Sequence, residues 1–314
     1  GIVVDDQMPI GETNAPEIDI LPAAPNANGM HKDDVSVDLK VVDPKYAGAT
    51  AADNGHYSGL NKITYKIYTT DTDAVEEGTL LDLASKTEGA VFDADKLVSS
   101  WSGKITIDSE KFNSNNVIVE VIAVDNAGNE RKTTTKAGDI QIDITAPTIV
   151  VSYDNNSADS DTFFKDDRTA TVVITERNFN AKDVVVTITN TDGVVPTISD
   201  FTKTAGTGNG DDTTWTATIK YTADGDYEFD IAYTDLAENA CAGETFAEGT
   251  VASNAFTIDH TVPVIVVTYD NNDVQNGNYY KAYRTATVVI TEHNFNADRV
   301  TITHTATDDG AETT

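Results

Sequence analysis

The chain has 314 residues, 39% of them hydrophobic, and carries 52 Asp and Glu against 21 Lys and Arg, a formal charge of −31. That length supplies buried cores for two domains of ordinary size and a remainder. The charge repels phosphate backbones and anionic lipid, so it argues against nucleic-acid binding and membrane adsorption, while it suits divalent cations and basic partners and keeps long secreted arrays soluble.

Residues 1–14 read as the end of a preceding module running into a linker: Ile2 to Val4, then Asp5, Asp6 and Pro9. The arrangement recurs as IDITAP (Ile142 to Pro147) and IDHTVP (Ile258 to Pro263), in each case a strand end, an Asp and then a Pro that bars helix. A related ETNAP (Glu12 to Pro16) places the start of the first module at residue 15.

Module one, 15–145, is expected to form short strands over 17–21, 35–42, 62–70, 104–108, 117–124 and 139–144, from alternating apolar and polar residues rich in β-branched types. Leu80 to Lys86 is expected as a helical turn, and Leu97 to Trp101 as a segment packed across one edge. Module two, 146–261, repeats the plan with strands at 148–153, 169–175, 183–189, 215–221, 227–234 and 255–259. Tyr227 follows a tight acidic turn, where Ig-type sandwiches keep a tyrosine corner. Module three, 262–314, holds counterparts of only the first three strands, so it lacks half a core and its open edges invite pairing into a dimer.

The strongest internal signal spans the last two modules. Residues 147–189 return without a gap at 263–305, an offset of 116 positions, with VV, YDNN, RTATVVITE and NFNA-type segments preserved while the loop after YDNN drifts. Self-similarity at a domain-length period marks a tandem array. The expected fold is therefore all-β: tandem Ig-like antiparallel β-sandwich modules in an elongated array.

The strand-ending DxTxP linkers, DNAGN (Asp125 to Asn129) and the looser DLAEN (Asp235 to Asn239) resemble the bacterial Ig-like repeats of large surface proteins and adhesins, in the style of Gram-positive cell surfaces. The resemblance implies an extracellular, non-enzymatic stalk or adhesin segment that meets a host surface protein, a secreted protein such as an immunoglobulin, or a glycan. It also implies calcium at module junctions, as several such repeats bind it there. An accessory region of an extracellular carbohydrate-active enzyme is a further alternative.

In a sandwich of this topology one pole of module two gathers the linker Asp143, Glu176 at the start of the B to C loop, and the F to G loop with Asp235, Glu238 and Asn239. Hard oxygen ligands from three loops suit Ca2+. Module three offers Asp259 and Glu292 in the same positions, and module one offers Glu12 or Asp6 with Asp125, Asn126 and Asn129. The competing reading makes these residues turn caps, with Phe179 and Phe295 plugging the core ends. DNNSADSD (Asp154 to Asp161) lacks the ligand spacing of an EF-hand.

A binding role through aromatics points to Phe163 and Phe164 in module two and to Tyr279, Tyr280 and Tyr283 in module three, although Lys and Arg stems lying over these rings would equally close the sandwich base. Trp101 and Trp215 are assigned to the cores. A Lys to Asn isopeptide bond would need Lys165 or Lys281 buried, and no matching Asn stands out. Cys241 is the single cysteine, so no disulfide forms within the chain. No apolar run reaches the roughly 18 residues of a membrane span. No signal peptide opens the sequence, so targeting or anchoring segments would lie outside it. Hydrolase, zinc-protease and phosphate-loop motifs do not occur, and the five His residues share no spacing, so no catalysis is expected.

Overall fold

The computed structural model describes residues 15–44, 58–206 and 210–305. Strands β1 (Glu17–Pro22), β2 (Val35–Val42), β3 (Leu60–Thr69), β4 (Val75–Asp82), β5 (Ala90–Phe92), β6 (Val98–Ile107), β7 (Val117–Asp125) and β8 (Glu130–Thr134) build the first sandwich. Its sheets run β1-β2-β6-β5 and β4-β3-β7-β8, both antiparallel. Period-two patterning sets this core: β2 buries Val35, Val37, Leu39 and Val41, and β7 buries Val117, Val119, Val121 and Ala123 against them.

Three local expectations need correction. Leu80 and Leu81 are not helical; both are buried in β4, where a register shift opposite Ile63 and Thr64 lets two adjacent leucines face inward, and only the following Asp82 to Lys86 bends as a turn. Leu97 to Trp101 leads into β6, with Trp101 buried and its Nε1 donating to Glu88 O at 2.7 Å. Residues 139–144 make single bridges, Val117 with Ile140 and His31 with Ile142, because β8 already occupies the edge of β7.

The second sandwich comprises β9 (Thr148–Tyr153), β10 (Phe163–Phe164), β11 (Arg168–Thr175), β12 (Val185–Asn190), β13 (Thr202–Ala205), β14 (Thr214–Tyr221), β15 (Gly225–Ala232), β16 (Glu244–Phe246) and β17 (Ala255–Ile258). Its sheets are β13-β14-β11-β9-β16 and β10-β17-β15-β12. The chain crosses from one sheet to the other between β9 and β10, and β10 then lies parallel to β17, as in an Ig-like sandwich whose first strand is shared between sheets. Tyr227 forms the expected corner, its hydroxyl donating to Ala223 O at 2.8 Å. Gly225 at that turn has φ +134°, and a Cβ there would stand 1.8 Å from Asn190 Oδ1.

The repeated YDNN and RTATVVIT segments are explained by one buried cation. The Arg168 guanidinium is fully buried among the rings of Tyr153, Phe164 and Phe256 at 3.8, 4.1 and 4.6 Å, and it donates to Asn155 O, Val251 O and Ala252 O. Asp154 accepts from Thr169 N at 2.7 Å beside it. The third segment repeats this: Arg284 lies 3.8 and 4.1 Å over Tyr269 and Tyr280, donates to Asn271 O, and Asp270 accepts from Thr285 N.

That third segment contains β18 (Val264–Tyr269) paired with β21 (Ala286–Thr291) and β19 (Val274–Asn276) paired with β20 (Tyr279–Tyr280). Ile265 and Val267 are 61% and 48% exposed, where their counterparts Ile149 and Val151 are 1% and 0%. Among the described residues nothing takes the place of β14 to β17 over this sheet. Helical structure among the described residues is confined to 3-10 turns at Ala181–Asp183 and Ala297–Arg299, and no helix is long and apolar enough to cross a membrane.

Candidate functional site at the junction of the two cores

The linker, the end of β11 and the turn after β15 bring Asp143, Glu176 and Asp235 together. Carboxylate oxygens of the three lie within 4.8 Å of one another, at exposures of 0%, 3% and 4%. Glu176 is held inward because β11 ends at Thr175 and its own N–H is fixed to Thr213 O. Asp235 closes the DLAEN turn, accepting from Asn239 N at 2.8 Å and Asn239 Nδ2 at 2.9 Å. Asn239 Nδ2 also reaches Asp143 O at 2.9 Å, tying turn to linker.

Burying three acids together is costly unless something neutralises them. Part of that is done by Arg177, itself buried, whose guanidinium lies 3.2 Å from Asp143 Oδ1. Asn178 adds its backbone N–H to Glu176 Oε1 at 2.5 Å and its amide to Asp143 Oδ2. The compensation is incomplete. Desolvation lifts Glu176 to about 8, against the Asn178 hydrogen bond that lowers it, with Asp143 and Asp235 pushing the same way as burial. Asp235 is raised for the same first reason, burial, opposed by its Asn239 bonds.

The same residues join the two cores. Arg177 donates to Asn113 Oδ1 at 2.7 Å, Ile142 O at 3.0 Å and Asn113 O at 3.2 Å, and the side-chain amides of Asn115 and Asn178 exchange bonds at 2.6 and 3.3 Å. Asn26 and Asn28 both donate to Leu236 O, at 2.8 and 3.0 Å.

Other expected members divide. Glu238 is exposed with φ +71°, a turn position outside the cluster. Asp259 and Glu292 meet through Asn294, which donates its amide to Asp259 Oδ2 at 2.9 Å and its N–H to Glu292 Oε1 at 3.1 Å. Asp125 is buried and bonded by Asn129 just as Asp235 is by Asn239, whereas the Asn126 amide turns away to Ser58 O. Glu12 and Asp6 lie outside the described residues. Sequence reasoning missed Asp43, buried directly after β2 as Glu176 is after β11, and accepting from Gly59 N at 2.6 Å. The signal was available: an acid immediately follows β2, β11 and the counterpart of β11 in the third segment, at Asp43, Glu176 and Glu292.

NFNA also has a structural role. Phe179 packs against Trp215, Phe201 and Tyr233, and Asn180 caps the 3-10 turn. Trp215 is half-buried and stacks on Phe179 rather than lying deep in the core.

Among the aromatic candidates Phe164 needs correction: it is a core residue under Arg168 and offers no ligand surface. Tyr280 is covered by Arg284, Phe163 is part-exposed, and Tyr279 and Tyr283 are 76% and 100% exposed. Lys165 and Lys281 are both exposed, Lys165 pairing with Asp159 at 3.5 Å, so the burial an isopeptide bond requires is not met. Cys241 is half-buried with a free thiol.

No family model matches the chain, and no curated protein matches it. Among solved structures it is similar to FdeC, an adhesin of Escherichia coli, at 15% identity and a TM-score of 0.31, covering 90% of this chain and 74% of that one. It is similar also to a marsupial T cell receptor at 11% identity and a TM-score of 0.26, covering 68% of this chain and 58% of that one.

Proposed function

We propose that this chain is a non-enzymatic segment of an extracellular adhesin or stalk, of the kind displayed on Gram-positive surfaces, built from modules at 15–145, 146–261 and from 262 onward. The observation that carries the reading is the polar lock between the first two cores. Arg177 and Asn178 of one bond directly to Asn113, Asn115 and Ile142 of the other, which holds neighbouring modules at one angle as a spacer requires. Linked domains otherwise move freely. Small-angle scattering tests it: Arg177→Ala with Asn178→Ala shortens the maximum dimension and broadens the distance distribution, whereas an unchanged profile counts against the stalk.

A second reading adds calcium at Asp143, Glu176 and Asp235, with Asn239 beside them and Asp259 with Glu292 as the equivalent start of the next junction. The proximity of three buried acid oxygens supports it, since Ca2+ takes 6 to 8 oxygens in flexible geometry. Calcium would then raise the thermal midpoint by linkage. Identical melts in calcium and in chelator would leave the cluster as a purely hydrogen-bonded knot.

For attachment, exposed Tyr279 and Tyr283 with part-exposed Phe163 are the candidate contacts to a host protein or glycan. A glycan array and pull-down from host secretions should give a saturable ligand that Tyr279→Ala with Tyr283→Ala abolishes; no ligand leaves a spacer alone.

A further inference from the structure

The two junctions are related by the 116-position offset, and the motif that enters each of them differs at one side chain. ERNFNA at 176–181 becomes EHNFNA at 292–297, so His293 stands where Arg177 stands. Arg177 is almost wholly buried and spans the first junction with three donor contacts of 2.7 to 3.2 Å to Asn113 and Ile142. His293 has a side chain 52% exposed, and among the described residues its polar contact to the preceding core is Nε2 to Asp226 Oδ2 at 3.7 Å. Asn178 exchanges amide bonds with Asn115, while among the described residues the Asn294 amide makes the linker bond, to Asp259 at 2.9 Å.

The second junction is open beside His293. A cleft of about 540 Å3 lies there, bounded by Phe163, Lys165, Asp259, His293, Phe295 and Arg299. The second linker is also clamped backward onto its own core. His260 reaches Asp224 at 2.6 Å and Asp167 at 3.1 Å, and Thr261 donates to Asp224 at 2.7 Å. These bonds fix where the linker leaves the second core, and the third segment itself is held to that core by the exposed bond from Arg299 Nη2 to Ser160 Oγ at 3.2 Å and the long His293 to Asp226 contact. The chemistry explains the difference. A guanidinium offers five donors in a planar fork on a long stem, whereas an imidazole is shorter and offers at most two.

We infer that bending of this array is concentrated at the second junction: the first two cores move as one body held by Arg177, and the segment from Val264 swings about the linker at 259–263. The choice of Arg or His at this position sets whether a junction is stiff or hinged. The inference extends the stalk reading and can fail separately from it.

Pulsed dipolar spectroscopy on the whole chain, with Cys241→Ser and metal removed by chelator, tests it. Labels at Lys104→Cys and Lys220→Cys report the first junction, and labels at Lys220→Cys and Ala282→Cys report the second. The second distance distribution is expected to be about twofold wider than the first, as for unlocked neighbouring domains. Arg177→His should widen the first, and His293→Arg should narrow the second. Equally narrow distributions in the wild type overturn the hinge and leave the stalk intact, and equally wide ones overturn both. If Arg177→His lowers folding, the wild-type widths and the exposed-site His293→Arg variant decide alone; no narrowing in the latter counts against Arg as the stiffening group.

Discussion

Glu176 sits in an environment far from that of a free carboxylate. Its folded pKa of about 8 stands above its ordinary 4.5, so the folded state keeps a proton that the unfolded chain releases. Stability from this group is complete below 4.5 and declines as pH rises toward 8, by up to about 1.4 kcal/mol per pH unit. His260 acts in the same direction. Its pKa is raised, first by the Asp224 hydrogen bond against a smaller loss from burial, so its contribution is complete below 6.5 and is lost as pH climbs through the raised value. Urea midpoints at pH 5, 7 and 8.5 in chelator should therefore fall steadily for the wild type. Glu176→Gln should flatten the fall and leave the His260 part above 6.5; an unaltered slope would show that Glu176 does not titrate there. Arg168 tests a different chemistry. Arg168→Ala should cost about 3 kcal/mol through lost ring contacts and charge-assisted bonds. Arg168→Lys should recover only part of this because an ammonium cannot span several carbonyls at once.

At the level of elements, the turn into β15 concentrates two constraints in three residues. Gly225→Ala places a side chain at φ +134° against Asn190 Oδ1 and should cost about 1–3 kcal/mol from backbone strain alone, before the clash is counted. Tyr227→Phe keeps the packing and loses the bond to Ala223 O, which should cost about 1 kcal/mol. Equilibrium denaturation separates the two, and a Tyr227→Phe loss as large as that of Gly225→Ala would contradict this division. The same contrast between pattern and pairing governs the strands. β2 and β7 were legible from alternation because each buries one face along its whole length. β4 was not, since a bulge puts Leu80 and Leu81 side by side and breaks the period-two signal.

On the scale of the whole molecule, the outer edge of β21 and the apolar face of Ile265 and Val267 are the most exposed sheet surface described. Such an edge templates pairing with another chain. Sedimentation should show concentration-dependent association that Ile265→Lys with Val267→Lys weakens, and a monomer at every concentration would count against edge pairing.

Sequence alone made the all-β class, the repeat and the Tyr227 corner legible, through local periodicity, a constant offset and a tight acidic turn, and it placed Asp143, Glu176 and Asp235 at one pole only by way of the expected sandwich topology. The tertiary structure decided what spacing does not encode. Phe164 belongs to the core because Arg168 lies over it, and Asp43, which follows β2, is linked to the DNAGN turn through Gly59, whose N–H donates to it and whose carbonyl accepts from Asn126 N. Arg177, in sequence only a neighbour of Glu176, is the group that crosses between cores. Its role depends on Asn113 and Ile142, residues 64 and 35 positions away in the chain, and no pattern along one strand reports a contact made between two folded bodies.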